Sequence, residues 1–134
     1  MRIEDYFRRI QKAIEDCPFV TSSAITYDKR STYEGFIRGE IYFLDGSVLH
    51  IREFVDVESD VERLLYVYHY MDSSKRLIFR YDNTGHHKKL GLPTYPHHKH
   101  NGCEEKVVAS KAPDLATVLD EIERRIFSTF FPLD

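Results

Sequence analysis

The chain has 134 residues, 42% of them apolar, with 22 acidic against 19 basic side chains and a net charge of −3. A single domain of this size buries roughly two-thirds of the surface its unfolded chain exposes, so it needs no disulfide or metal staple to fold. The slightly acidic balance excludes nucleic-acid binding by bulk positive charge, but not by a local basic site.

No apolar run approaches the roughly 18 residues of a membrane span. Met1-Arg2-Ile3-Glu4-Asp5 lacks a secretion-signal pattern. Cys17 and Cys103 lie far apart and outside any CxxC motif. These features point to one reduced, cytoplasmic domain over residues 1–134, away from membranes.

Residues 2–16 read as a helix, with Ile3, Tyr6, Phe7, Ile10, Ala13, Ile14 and Cys17 at helical spacing. Pro18 stops it, because proline disfavours helix in the residue before it. From residue 19 to 82 the period changes to two. Val20 to Tyr27 suggests a first strand. Glu34 to Leu44 is rich in β-branched and aromatic residues, Asp45-Gly46 is a strong hairpin signal, and Ser47 to Val57 returns. Asp60 to Met71 is another extended run, turned by Asp72-Ser73-Ser74-Lys75 into Arg76 to Asp82. Residues 83–102 have no periodicity and read as a long loop, which in a compact domain is commonly functional. A short strand is expected through Val107-Val108. Asp114 is a suitable N-cap, and Leu115, Val118, Leu119, Ile122 and Ile126 mark an amphipathic helix ending near Phe127. The apolar tail Phe130-Phe131-Pro132 is expected to pack on the core. The alternative is contact with a partner, including a second copy of the chain.

The implied fold is α+β: an antiparallel meander sheet of about five or six strands, with the N-terminal and C-terminal helices on one face. One strand parity carries Ile37, Ile41, Phe43, Leu49, Ile51, Val55, Leu77, Phe79 and Tyr81. The other carries Arg38, Glu40, His50, Arg52, His69, Arg80 and Asp82, with Val67 and Ile78 among them. An uncovered face of that second kind is a natural site, although parity alone does not align one strand with the next. The competing reading is a solvated face with ion pairs of little value.

Five of the seven histidines fall within residues 86–100: His86, His87, His97, His98 and His100. Lys88, Lys89 and Lys99 lie among them. Neighbouring imidazoles divide acid and base roles near neutral pH, and lysine or arginine stabilises charge developing on a phosphate. The set suits metal-independent RNA cleavage through the 2′-hydroxyl, and equally other phosphoryl or acyl chemistry. His97, His98 or His86 would act as base and acid. Arg80, Lys89 or Lys99 would contact phosphate, and Tyr81 and Tyr95 would stack on bases. Asp82 would orient an imidazole, and Asn83 would hold the start of the loop. His69 shares the parity of Arg80 and Asp82, so a His69–Asp82 contact is a further expectation. The rival is a zinc site drawn from His86 or His87 with His97, His98 or His100, completed by Asp82 or Cys103. Its spacing matches no zinc-finger signature, and adjacent histidines in extended chain point apart. A structural reading has these imidazoles holding loop carbonyls.

Arg80-Tyr81-Asp82-Asn83, then His86-His87, then Pro96-His97-His98-Lys99-His100 and a C-terminal leucine-bearing helix resemble the TumE-type toxin family of type II toxin–antitoxin modules. Tyr68-His69-Tyr70 resembles the family's upstream strand. The likeness runs roughly from residue 30 to 128. Tyr81 stands where the family commonly has tryptophan, and the segment Lys88 to Tyr95 is this chain's own. The resemblance implies a small toxin neutralised by a cognate antitoxin, with Asp82, Asn83, His86, His87, His97, His98 and His100 as its site. Ribonuclease action is an expectation by analogy with other small protein toxins. The alternatives are a non-catalytic module that binds through its open sheet face, and a histidine-ligated metal-dependent hydrolase.

Overall fold

The computed structural model describes residues 1–83, 97–102, 107–109 and 112–132, and for His98 and Val107–Ala109 the backbone alone. Helix α1 (Ile3–Glu15) leads into strands β1 (Val20–Lys29), β2 (Glu34–Phe43), β3 (Val48–Asp56), β4 (Glu62–Met71) and β5 (Leu77–Asp82). Strands β6 (His98–Asn101) and β7 (Val107–Ala109) precede helix α2 (Leu115–Phe130). The strands lie in sequence order in one antiparallel sheet, the simplest meander. The expected α+β fold, with both helices sharing one core against one sheet face, is what forms. Among the described residues no helix is long and apolar enough to cross a membrane.

Two differences from the sequence reading have clear causes. The aperiodic stretch 83–102 reads as loop, yet β6 forms there, pairing Phe79 with Asn101 and Asp82 with His98. The exposed edge of β5 supplies backbone partners that no local pattern announces. Helix α2 runs on through Phe130, and the tail does not pack on the core: Phe130 is 48% exposed and Phe131 59%. The buried stripe of α2 ends at Ile126, so its last turn stays exposed.

Helix α1 buries Ile3, Tyr6, Phe7, Ile10 and Ile14, each contributing about 1.5–3 kcal/mol. It can lie close because β2 offers Gly35: a Cβ there would stand 2.6 Å from Ile3 Cγ1 and Phe7 Cζ. Helix α2 is capped by Asp114, whose side chain accepts from the Thr117 amide at 2.9 Å.

Beneath the helices the core holds one carboxylate. Glu53 is fully buried and accepts hydrogen bonds from the Tyr6 and Tyr68 hydroxyls, the latter at 2.6 Å. Arg63 donates to the Tyr68 hydroxyl and to the carbonyls of Ala112 and Pro113, tying β4 to the start of α2. Burial raises the Glu53 carboxyl above its usual range, and the two tyrosines and Arg63 only partly oppose it. Folded Glu53 thus keeps its proton to a higher pH than the unfolded chain does. Its stabilisation is present below the ordinary glutamate range and is lost as pH rises through the folded value. Glu53→Gln, a neutral stand-in for the acid, should therefore flatten the decline of Tm with rising pH. Thermal unfolding of both proteins across a pH series checks this, and identical pH slopes would contradict it.

Candidate active site

The antiparallel register turns strand parity into geometry. Glu40 pairs with His50, His50 with His69, His69 with Arg80, and Arg80 with His100. One row of polar side chains thus crosses β2 to β6 on the face turned away from the helices. The next row aligns Arg38, Arg52, Val67 and Asp82, with His98 opposite Asp82 in register. Successive strands stand about 4.8 Å apart, so neighbours in a row are within reach of one substrate group.

The row is graded in exposure. At its β5–β6 end Asp82 is 1% exposed and His100 5%. One carboxylate oxygen of Asp82 lies 3.0 Å from Arg80 Nε and 3.6 Å from His100 Nε2. Towards β2 the groups open to solvent: His50 Nδ1 stands 3.4 Å from Glu40 Oε1, with both side chains about 40% exposed. The His50 and His69 rings meet edge to face, with centroids 6.2 Å apart. An acidic neighbour on one ring nitrogen orients the imidazole and leaves the other nitrogen to work. The geometry is a pair of imidazoles beside a guanidinium that a buried carboxylate holds in place.

Other predicted residues face the helices. Tyr81 donates to Glu121 of α2 at 2.6 Å, and Lys99 stands 3.5 Å from the same carboxylate while its ammonium lies over the Tyr81 ring. These contacts tie the sheet edge to α2. The Tyr81 hydroxyl is held protonated well above its usual range by burial and by Glu121. His97 stacks on buried Tyr66, with its Nδ1 2.8 Å from the tyrosine hydroxyl. Asn83 accepts from the Tyr66 amide at 2.9 Å and donates to the Leu64 carbonyl, clamping the chain as it leaves β5. Asp82 lies opposite Val67, and His69 opposite Arg80.

His86, His87, Lys89 and Tyr95 lie outside the described residues, as does Cys103. Among the described residues no group of three or more histidine, cysteine, aspartate and glutamate side chains is arranged to hold a metal ion. His50 and Glu40 are additions to the site residues named from sequence. Their parity was legible; their alignment with His69 required the register.

The fold and this face define a small α+β protein with one polar, histidine-bearing sheet surface. The chain belongs to the family described as Toxin TumE, whose model matches residues 10–126. Membership marks it as a toxin of a toxin–antitoxin module and implies an antitoxin partner. Neither the curated proteins nor the solved structures contain a significant match.

Asp82→Asn removes the buried charge that Arg80 and His100 share. The expected loss of stability is about 1–3 kcal/mol, because buried donors lose their anionic acceptor. Urea unfolding measures it. A stability equal to that of the parent would mean that the carboxylate anchors nothing.

Proposed function

We propose that this toxin is a metal-independent ribonuclease that works on its open sheet face. The observation that carries the reading is the His50–His69 pair, 6.2 Å between ring centres, with Arg80 opposite His69 on the next strand. Two imidazoles this close can both reach one phosphodiester laid across them. His50, oriented by Glu40, takes the proton of a ribose 2′-hydroxyl. The 2′-oxygen attacks the adjacent phosphorus, and the bond from phosphorus to the 5′-oxygen breaks. His69, as imidazolium, gives that leaving oxygen its proton. The products are a 2′,3′-cyclic phosphate and a free 5′-hydroxyl, so atoms and protons balance. Arg80 meets the charge growing on the phosphoryl oxygens. Asp82 and His100 are too buried to meet substrate and act by holding Arg80. His86, His87 and His98, carried over from the family motif, are the rival catalytic set, with Lys89 and Tyr95 as the substrate contacts beside them. Zinc held by His86 or His87 with His97, His98 or His100, completed by Asp82 or Cys103, is the rival chemistry.

The test is incubation of purified protein with end-labelled RNA, with and without chelator, beside His69→Ala and a His86→Ala/His98→Ala double variant. Losing one partner of an acid–base pair lowers the rate by about 10²–10⁴-fold. The proposal expects discrete, chelator-resistant cleavage that falls by that factor in His69→Ala and survives in the double variant. Loss in the double variant alone moves the chemistry to the loop. Loss with chelator alone moves it to a metal. A folded, growth-inhibiting protein without turnover is the binding module instead.

A further inference from the structure

Along β2 and β3 the open face continues beyond the histidines. Two residues from the Glu40–His50 pair, Arg38 and Arg52 stand directly opposite each other, and two residues further Phe36 faces Phe54. Each step is about 7 Å along the strands. Both arginines are exposed, and both phenylalanines are half-buried. Like charges directly opposite on neighbouring strands are destabilising. Nothing in the core calls for this pair, and the chain as a whole is acidic.

The aromatic pair is built in with the charges. The Phe36 and Phe54 rings are tilted at 47° with centroids 6.5 Å apart. The guanidinium of Arg52 lies 5.8 Å from the Phe36 centroid, and that of Arg30 lies 5.9 Å from it. Arg30 is also paired with Asp28 at 3.0 Å, which offsets that carboxylate's charge. Thr26, Asp28, Arg30, Phe36 and Arg38 edge a shallow hollow of about 370 Å³.

We infer that this Phe36–Phe54 and Arg38–Arg52 surface is a binding subsite for single-stranded RNA, leading the strand into the His50–His69 pair. It rests on the ribonuclease reading and names how that substrate is held. Arginines meet the backbone phosphates, while phenylalanine rings and guanidinium planes stack on unpaired bases. A single strand is the fitting form because a duplex keeps its base faces stacked and unavailable to Phe36. The order along β2–β3 is base platform, phosphate clamp, then acid–base pair, on a flat surface that any unstructured strand can cross.

The test uses a fluorescein-labelled, fully 2′-O-methylated RNA oligonucleotide, which has no 2′-hydroxyl to attack, read by anisotropy over a salt series. Phe36→Ala is expected to weaken binding about 10-fold or more, the scale of one lost base stack. Arg38→Gln/Arg52→Gln is expected to weaken it and to lower the slope of log K against log salt by about 1.4, at roughly 0.7 per phosphate contact. Phe36→Leu keeps the apolar volume without the ring, so it decides the matter if Phe36→Ala does not fold. An Arg9→Gln control on α1 is expected to bind as the parent does. Parental affinity in the folded Phe36→Leu and double-arginine variants overturns the subsite, as does equal binding of a blunt duplex. The probe cannot be cut, so the two readings fail separately. Binding that depends on Phe36 without RNA cleavage removes the ribonuclease and keeps the subsite. Cleavage of ordinary RNA at parental KM in these variants keeps the ribonuclease and removes the subsite.

Discussion

A strand slipped by a single residue in this sheet would carry its histidine from solvent to the underside of the helices. Register is therefore the constraint on which the polar face depends. The pairings His50–His69 and His69–Arg80 hold because each neighbouring strand buries its other parity in the same core. Leu49 and Ile51 on β3, Tyr68 and Tyr70 on β4, and Phe79 and Tyr81 on β5 all lie beneath the helices. Apolar burial thus sets the positions of groups that themselves touch water. The tight turn at Asp45-Gly46, with Gly46 at a φ of 84°, fixes the count between β2 and β3.

Two carboxylates, one on each side of the sheet, serve as anchors. Glu53 gathers the hydroxyls of Tyr6 and Tyr68 from α1 and β4, while Arg63 reaches from β4 to the carbonyls before α2. Asp82 holds Arg80 and His100 on the other face. Each carboxylate is buried, so each demands its partners, which come from α1 and β4 for Glu53 and from β5 and β6 for Asp82. The first anchor joins the helical layer to the sheet. The second stiffens the end of the polar row. Between them the exposed histidines and arginines stand on a supported surface, which suits a site that must recognise a flexible strand.

The C-terminal end of α2 has a different character. Phe127 and Phe131 pack on each other with ring centroids 4.9 Å apart, yet both remain more than half exposed. This apolar end lies apart from the histidine face, so a contact made there would not by itself fill the polar row. The chain thereby separates a chemically equipped surface from an apolar one.

Much of the architecture was legible in the residues because it rests on local rules. Ile3, Tyr6, Phe7 and Ile10 announce α1 by their spacing, Asp45-Gly46 announces its hairpin, and Asp114 announces the start of α2. Alternation likewise assigned His50, His69, Arg80 and Asp82 to one parity. Two consequences of long-range pairing were not legible. Strand β6 forms within an aperiodic histidine-rich stretch because β5 offers it an edge. His97 and Lys99, neighbours of the polar motif in sequence, turn to the helical side and meet Tyr66 and Glu121. By itself the sequence determined the two helices, strands β1 to β5, the two parities and the family's motif, since each is carried by residues close together in the chain. Only the tertiary structure decided which side chains meet, because cross-strand register and burial depend on partners tens of residues away.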